Sequence, residues 1–251
     1  MPINKLITIP ASHYCEKARW MLQLAGIPFE ETGHAPAFHL MSTTLNNGKS
    51  VPLLVLDESP PRYLNDSNLI TEECSKYLSE SFLTPEVKKM ELELAKNPEM
   101  LLNAITKPIE SSRPIESFIV QSTFTWVLKP LLQKGMNIDE EKAMESLKIV
   151  EDVFSLVEQQ LQIQKETINS NYLFGSTLTA ADITFASLAS IVVMPQECSV
   201  VYDNMKLIGF QDHHREILER IQQRDAAKFV RFIYKNHRFP LAKEAIDQAA
   251  T

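Results

Sequence analysis

Apolar runs long enough to cross a bilayer are missing from these 251 residues. A spanning helix needs about 20 consecutive apolar residues. The nearest contender, Ile183 to Pro195, is too short and carries Ser and Thr. The opening Met-Pro-Ile-Asn-Lys has no apolar signal core, so neither a leader nor a membrane partner is expected. Cysteine is scarce, with Cys15, Cys74 and Cys198 far apart and odd in number. That argues against a disulfide framework and for a reducing, cytoplasmic setting. No Cys/His spacing suits a structural zinc, and the pairs His34/His39 and His213/His214 read as loop or surface residues. No metal is therefore expected. Positive charge is in deficit: 25 Lys and Arg stand against 32 Asp and Glu, a formal net charge of −7. With no basic stripe, nucleic acid is not an expected partner. There is no internal repeat and no low-complexity tract.

What is present has the make-up of a globular protein, 44% hydrophobic and 23% charged, with room for one large domain or two modest ones. Two textures divide the chain. Over the first eighty residues short strands and helices alternate. Leu6–Ile9 reads as a strand, and Tyr14–Ala25 as a helix with Ala18, Met21, Leu22 and Ala25 on one face. Gly26 stops that helix. Phe29–Thr32 reads as a second strand and Phe38–Leu45 as a short helix. Pro52–Leu56 and Arg62–Asn65 flank the turn Asp57–Pro61 as a hairpin. A helix follows from Asn68 to about Ser79. Beyond Ser81–Pro85, the best linker, the chain reads as helical. The helices fall over Glu86–Ala95, Ile115–Gln133 with a bend near Pro130, Glu140–Gln164, Ala180–Val193, His214–Gln223 and Ala226–Asn236. The face Phe229, Phe232 and Ile233 of the last one reads as closing the helical part.

Three features carry chemistry. The strand ending at Ile9-Pro10 is followed by Ser12-His13-Tyr14-Cys15 and then a helix. This is the spacing of a C-x-x-C redox motif with its first cysteine replaced by serine. A helix N-terminus favours an anion, and a serine hydroxyl there can donate to a bound thiolate. The same serine is also a common helix cap. Val51-Pro52 opens a strand after a glycine-containing loop. A cis bond there would turn the Val51 backbone outward to pair with an extended peptide. Asp66-Ser67 opens a helix. Both residues cap well, and together they can also grip the ammonium and carboxylate of an α-amino acid group.

Taken in order, these features resemble the glutathione transferase superfamily, over essentially the whole chain. The resemblance implies an α/β thioredoxin-like domain over residues 1–80, a linker over 81–85 and an all-α helical domain over 86–251. It implies glutathione as co-substrate. Ser12 then supports the glutathione thiolate, with Cys15 matching many serine-type members. Val51, ahead of a cis-Pro52, pairs with the cysteinyl part, and Asp66-Ser67 holds the γ-glutamyl group. Lys49, and after it His39, are assigned to the glycine carboxylate. Leu178-Thr179-Ala180-Ala181-Asp182-Ile183 has the layout of a capping box with a hydrophobic staple, as is typical of the family. The sequence departs from the pattern in having Asp66 where a Glu is usual. It also has no counterpart, within Leu6–Ala11, of the tyrosine of tyrosine-type members.

The resemblance further implies attack by the thiolate on an apolar electrophile lying between the domains. Candidate walls are Tyr14, Phe118, Phe124 and Trp126. Two other readings stand beside this one: a glutathione-dependent thiol-disulfide reductase using Cys15, and a non-catalytic binding protein of the same fold. The family also implies a homodimer, and a mass measurement in solution is expected to return twice the chain mass.

Overall fold

Residues 3–10, 12–35, 38–95, 140–198 and 212–238 are described by the structure, a computed structural model. Strand β1 spans Asn4–Thr8. It ends one residue before Ile9 because the Ile9 carbonyl turns to accept the Ser12 N–H at 2.9 Å. Helix α1, His13–Leu24, follows. Gly26, at φ +65°, closes it with two reverse bonds, Gly26 N–H to Gln23 and Ile27 N–H to Leu22. A left-handed residue just past a helix end favours glycine because it carries no Cβ. Strand β2 (Phe29–Gly33) runs parallel to β1. Helix α2 covers His39–Leu45. Strands β3 (Leu53–Leu56) and β4 (Arg62–Leu64) form the expected hairpin. The sheet order is β2-β1-β3-β4, with β3 antiparallel to β1.

Helix α3 spans Ser67–Ser75, shorter than the sequence suggested. Its continuation tightens into three-residue bonds, Lys76 to Glu73, Tyr77 to Cys74 and Leu78 to Ser75. The stretch read as a linker is a packed turn. Glu80–Leu83 form a 3₁₀ helix with Phe82 buried, and the Thr84 carbonyl receives Lys88 N–H at 2.8 Å to start helix α4, Pro85–Ala95. Proline suits this first helical position because its missing N–H would be unpaired anyway. The expected helix over 115–133, with Phe118, Phe124, Trp126 and the bend at Pro130, lies outside the described residues.

Helix α5 spans Glu140–Ile168 and buries Val150, Phe154 and Val157. It ends at Asn169, which is left-handed at φ +54°. Helices α6 (Ala180–Val193), α7 (Asp212–Gln222) and α8 (Asp225–His237) complete the described elements. Helix α6 is buried nearly all round, as a helix at the centre of a helical layer must be. It packs against α1, α4, α7 and α8. Phe229 and Ile233 of α8 lie in the core, so this face closes the helical part as its spacing suggested. Arg224, ahead of α8, donates to both oxygens of Glu158 at 3.1 and 2.7 Å and lies over the Phe154 ring. The result is a thioredoxin-like sheet and its helices joined to a helical domain through the shared helix α1. Among the described residues no helix is long and apolar enough to cross a membrane.

The start of α6 rests on Asp182, which is fully buried. Its carboxylate accepts Leu173 N–H at 2.8 Å, Thr179 N–H at 2.7 Å and the Thr179 hydroxyl at 2.7 Å. Asp182→Ala strands buried donors, each worth about 1–3 kcal/mol. We expect a loss of about 2–4 kcal/mol in urea unfolding. Burial pushes the Asp182 carboxyl up from 3.8 to about 6, against the pull of these bonds. The folded state therefore holds this proton more tightly than the unfolded state does. Wild type should gain on Asp182→Asn as pH falls from above 6 to about 4, by about 3 kcal/mol at most. Denaturant midpoints across that window check the sign.

Candidate active site

The strand register brings the three sequence motifs to one end of the sheet. Ile7 pairs with Leu53, so continuing the antiparallel ladder sets Thr8 beside Pro52. Leu54 pairs with Leu64, which in the same way sets Pro52 beside Asp66. The end of β1, the start of β3 with Val51-Pro52, and the end of β4 with Asp66-Ser67 therefore lie at the same end of the sheet, with Ser12 in the turn that leaves β1. The Val51–Pro52 peptide is cis, as is Ser59–Pro60.

Ser12 holds the N-cap position of α1 in extended backbone, φ −73° and ψ 125°. Its side chain caps nothing. The hydroxyl lies against the Cys15 thiol, one turn on. Cys15 is wholly buried, and that burial pushes its thiol up to about 11, more than Arg19, the Ile9 backbone and Ser12 together pull it down. His13, beside Ser12, is buried too. Desolvation lowers it to about 3 and keeps it neutral, and its Nδ1 has no partner among the described residues. Its ring stands 4.2 Å from that of Tyr14. Tyr14 is half-buried and donates to the Ala95 carbonyl at 3.3 Å, with its hydroxyl raised by burial and then by Asp66.

Asp66 is the N-cap of α3 and accepts Asn68 N–H at 2.6 Å through Oδ1. Its carboxylate is otherwise exposed. Ser67 is buried in the first turn beside it. The loop before Pro52 is pinned by Gly48, where an added Cβ would meet Leu53 Cδ2 at 2.5 Å. Only glycine lets that backbone lie so close to the core. Next to it Lys49 is exposed. His39, on α2, is half-buried, and burial followed by His34 lowers its pKa, so it is neutral at pH 7.

Sequence reasoning missed the ionic side of α1. Glu16, Lys17 and Arg19 are all buried. Arg19 donates to the Pro10 carbonyl at 3.1 Å and to Glu31 at 2.8 and 2.9 Å, holding the turn that presents Ser12. Glu16 pairs with Arg238 at 2.7 Å and more distantly with Arg19. Burial alone would raise the Glu16 carboxyl, but the two guanidiniums outweigh it and hold it low. Lys17 donates to Asn68 at 2.8 Å and Glu91 at 2.5 Å. The only sequence signal was charge on a helix whose other face was apolar, and that pattern reads as a solvated face.

Two family models match the sequence. One describes the N-terminal domain of glutathione S-transferases, over residues 11–76, and the other their C-terminal domain, over residues 75–206. Among solved structures, the glutathione S-transferase CsGST63524 of Ceriporiopsis subvermispora, in complex with glutathione, is similar at TM-score 0.58. Its identity is 14%, over 94% of this chain and 98% of that one. The glutathione transferase GSTFuA3 of Phanerochaete chrysosporium is similar at TM-score 0.57, with 12% identity over 94% and 98%. Ure2p, in complex with S-hexylglutathione, is similar at TM-score 0.50, with 14% identity over 91% and 98%. At these identities the likeness is one of fold. No curated protein matches the chain.

The burial of Cys15 yields a direct expectation. With its thiol near 11, about one molecule in ten thousand is thiolate at pH 7. Cys15 of the folded protein should resist alkylation by iodoacetamide at pH 7 and react only on unfolding, as read by peptide mass mapping.

Proposed function

Because the chain belongs to the glutathione S-transferase family, we propose that it is a glutathione transferase that ionises the glutathione thiol and directs it at a small apolar electrophile. The observation that carries this reading is Ser12, an N-cap residue whose hydroxyl does no capping, at the end of the sheet shared with Val51-Pro52 and Asp66-Ser67. Its hydroxyl lies against the Cys15 thiol, and because that thiol is protonated it can donate to the serine oxygen, which leaves the serine O–H to donate to a ligand thiolate.

The energetics suit that role. A free thiol of this kind has a pKa of about 8.5, so only a few per cent is thiolate at pH 7. Lowering it by about two units needs roughly 2.7 kcal/mol of preference for the anion. One hydrogen bond to a charged group supplies about 1.5–3 kcal/mol, and the α1 N-terminus adds about 0.3–1. Arg19 already favours an anion at the neighbouring Cys15. In this reading the Val51 backbone pairs with the cysteinyl unit. Asp66 takes the γ-glutamyl ammonium and Ser67 its carboxylate. Lys49 is the better partner for the glycine carboxylate, since neutral His39 offers only a hydrogen bond. Tyr14 borders the electrophile, with Phe118 and Trp126 assigned to the same wall from sequence. The working form is a homodimer in the cytoplasm. The buried, protonated thiol of Cys15 weighs against a reductase that uses it.

Ser12→Ala should lower turnover with a model aromatic halide by roughly 10- to 100-fold, the rate equivalent of about 1.4–2.7 kcal/mol. Glutathione affinity by calorimetry should change less than threefold. Wild type should release a proton on binding near pH 7, and Ser12→Ala should not. Undiminished conjugation in Ser12→Ala would reduce Ser12 to a backbone role and end this reading.

A further inference from the structure

A buried ammonium lies directly beneath the turn that carries Asp66 and Ser67. Lys17 is fully inaccessible, and Glu91 of α4 is 1% exposed. The Lys17 ammonium donates to Glu91 Oε1 at 2.5 Å and to the Asn68 side-chain oxygen at 2.8 Å. Asn68 in turn donates its N–H to Asp66 at 2.6 Å. A line of contacts thus runs from α4 through α1 into the first turn of α3. Burial lowers the Lys17 pKa, and Glu91 and then Asp66 pull it back up by charge.

Stability does not account for this arrangement. Taking a lysine and a glutamate out of water costs several kcal/mol per ion, which attraction in the interior only partly offsets. Glu91 is moreover incompletely satisfied. Its Oε2 is buried with no hydrogen-bond partner among the described residues. An apolar pair of similar volume would serve packing as well or better. What an apolar pair could not do is hold the Asn68 side chain and set a positive charge under the first turn of α3. That turn offers free N–H groups to a carboxylate.

We propose that Lys17, held by Glu91, is a positioning residue for recognition of the γ-glutamyl end of glutathione. It fixes Asn68 and the Asp66 cap so that the first turn of α3 meets a zwitterionic α-amino acid group. The inference rests on the glutathione reading above. It concerns binding of one end of the ligand and leaves thiol activation to Ser12.

The test compares three thiols on the full-length protein by calorimetry: glutathione, γ-glutamylcysteine and cysteinylglycine, which lacks the γ-glutamyl unit. In Lys17→Met, affinity for glutathione and γ-glutamylcysteine should fall about tenfold or more, while that for cysteinylglycine stays within twofold. In steady-state conjugation the loss should fall on KM for glutathione rather than on kcat. Ser12→Ala should show the opposite split. Glu91→Gln keeps the shape of the site and guards against a misfolded Lys17 variant. It should lose γ-glutamyl affinity by a smaller factor with the same selectivity among the three thiols. Folded variants that keep wild-type glutathione affinity, or that weaken equally for all three thiols, would overturn the positioning role and leave the transferase reading intact. Wild-type protein that binds none of the three would overturn both.

Discussion

Helix α1 is buried on nearly every side, and it carries Glu16, Lys17 and Arg19 into that burial. An unpaired ion in such a place is costly enough, by several kcal/mol, to threaten a fold of ordinary stability. Each of the three must therefore be met by a partner from elsewhere in the chain. Glu31 of β2 meets Arg19, Glu91 of α4 meets Lys17, and Arg238 after α8 meets Glu16. These pairings tie the sheet, the helix after the 3₁₀ turn and the last described helix to one central rod. Arg238 also lies over the Trp20 ring, 5.5 Å from its centre, and so fixes an aromatic side chain on the same helix.

This constraint explains why the turn that carries Ser12 is held in place. Arg19 holds the Pro10 carbonyl, the Ile9 carbonyl accepts Ser12 N–H, and the turn between β1 and α1 has little freedom left. On the other side of the same helix, Lys17 reaches Asn68. One buried helix thereby locates two parts of the same end of the sheet by hydrogen bonds that run in opposite directions from its axis. A site assembled from the ends of rigid elements keeps its geometry better than one assembled from loops.

Much of this architecture was legible in the sequence. Among the described residues, short apolar runs between turn residues located the strands, helical periods located the helices, and Gly26 marked the end of α1. The spacing of Leu178, Thr179, Asp182 and Ile183 announced the start of α6, which Asp182 indeed holds. Element ends were less legible. The end of α3 depends on three-residue bonds after Ser75, and those have no distinct residue signature. The motif residues themselves, Ser12, Val51-Pro52 and Asp66-Ser67, could be named because turn and cap chemistry uses few residue types. The ionic core could not. Glu16, Lys17 and Arg19 are charged residues that local pattern leaves to solvent, and what buries them lies up to 222 residues away. Local pattern carries no record of so distant a partner. Gly48 was passed over for a similar reason, since its need for glycine comes from Leu53 packing across the loop.

The separation of Glu16 from Arg238 bears on how the protein comes into being. Synthesis proceeds from the N-terminus at about 5–20 residues per second. A ribosome that has released Glu16 needs roughly ten to forty seconds more before Arg238 follows. Through that interval the strands and helices of the first eighty residues can pair, but the acidic group at the heart of α1 lacks its main counter-charge. The pair therefore joins α1 to the segment after α8 only once both have been made.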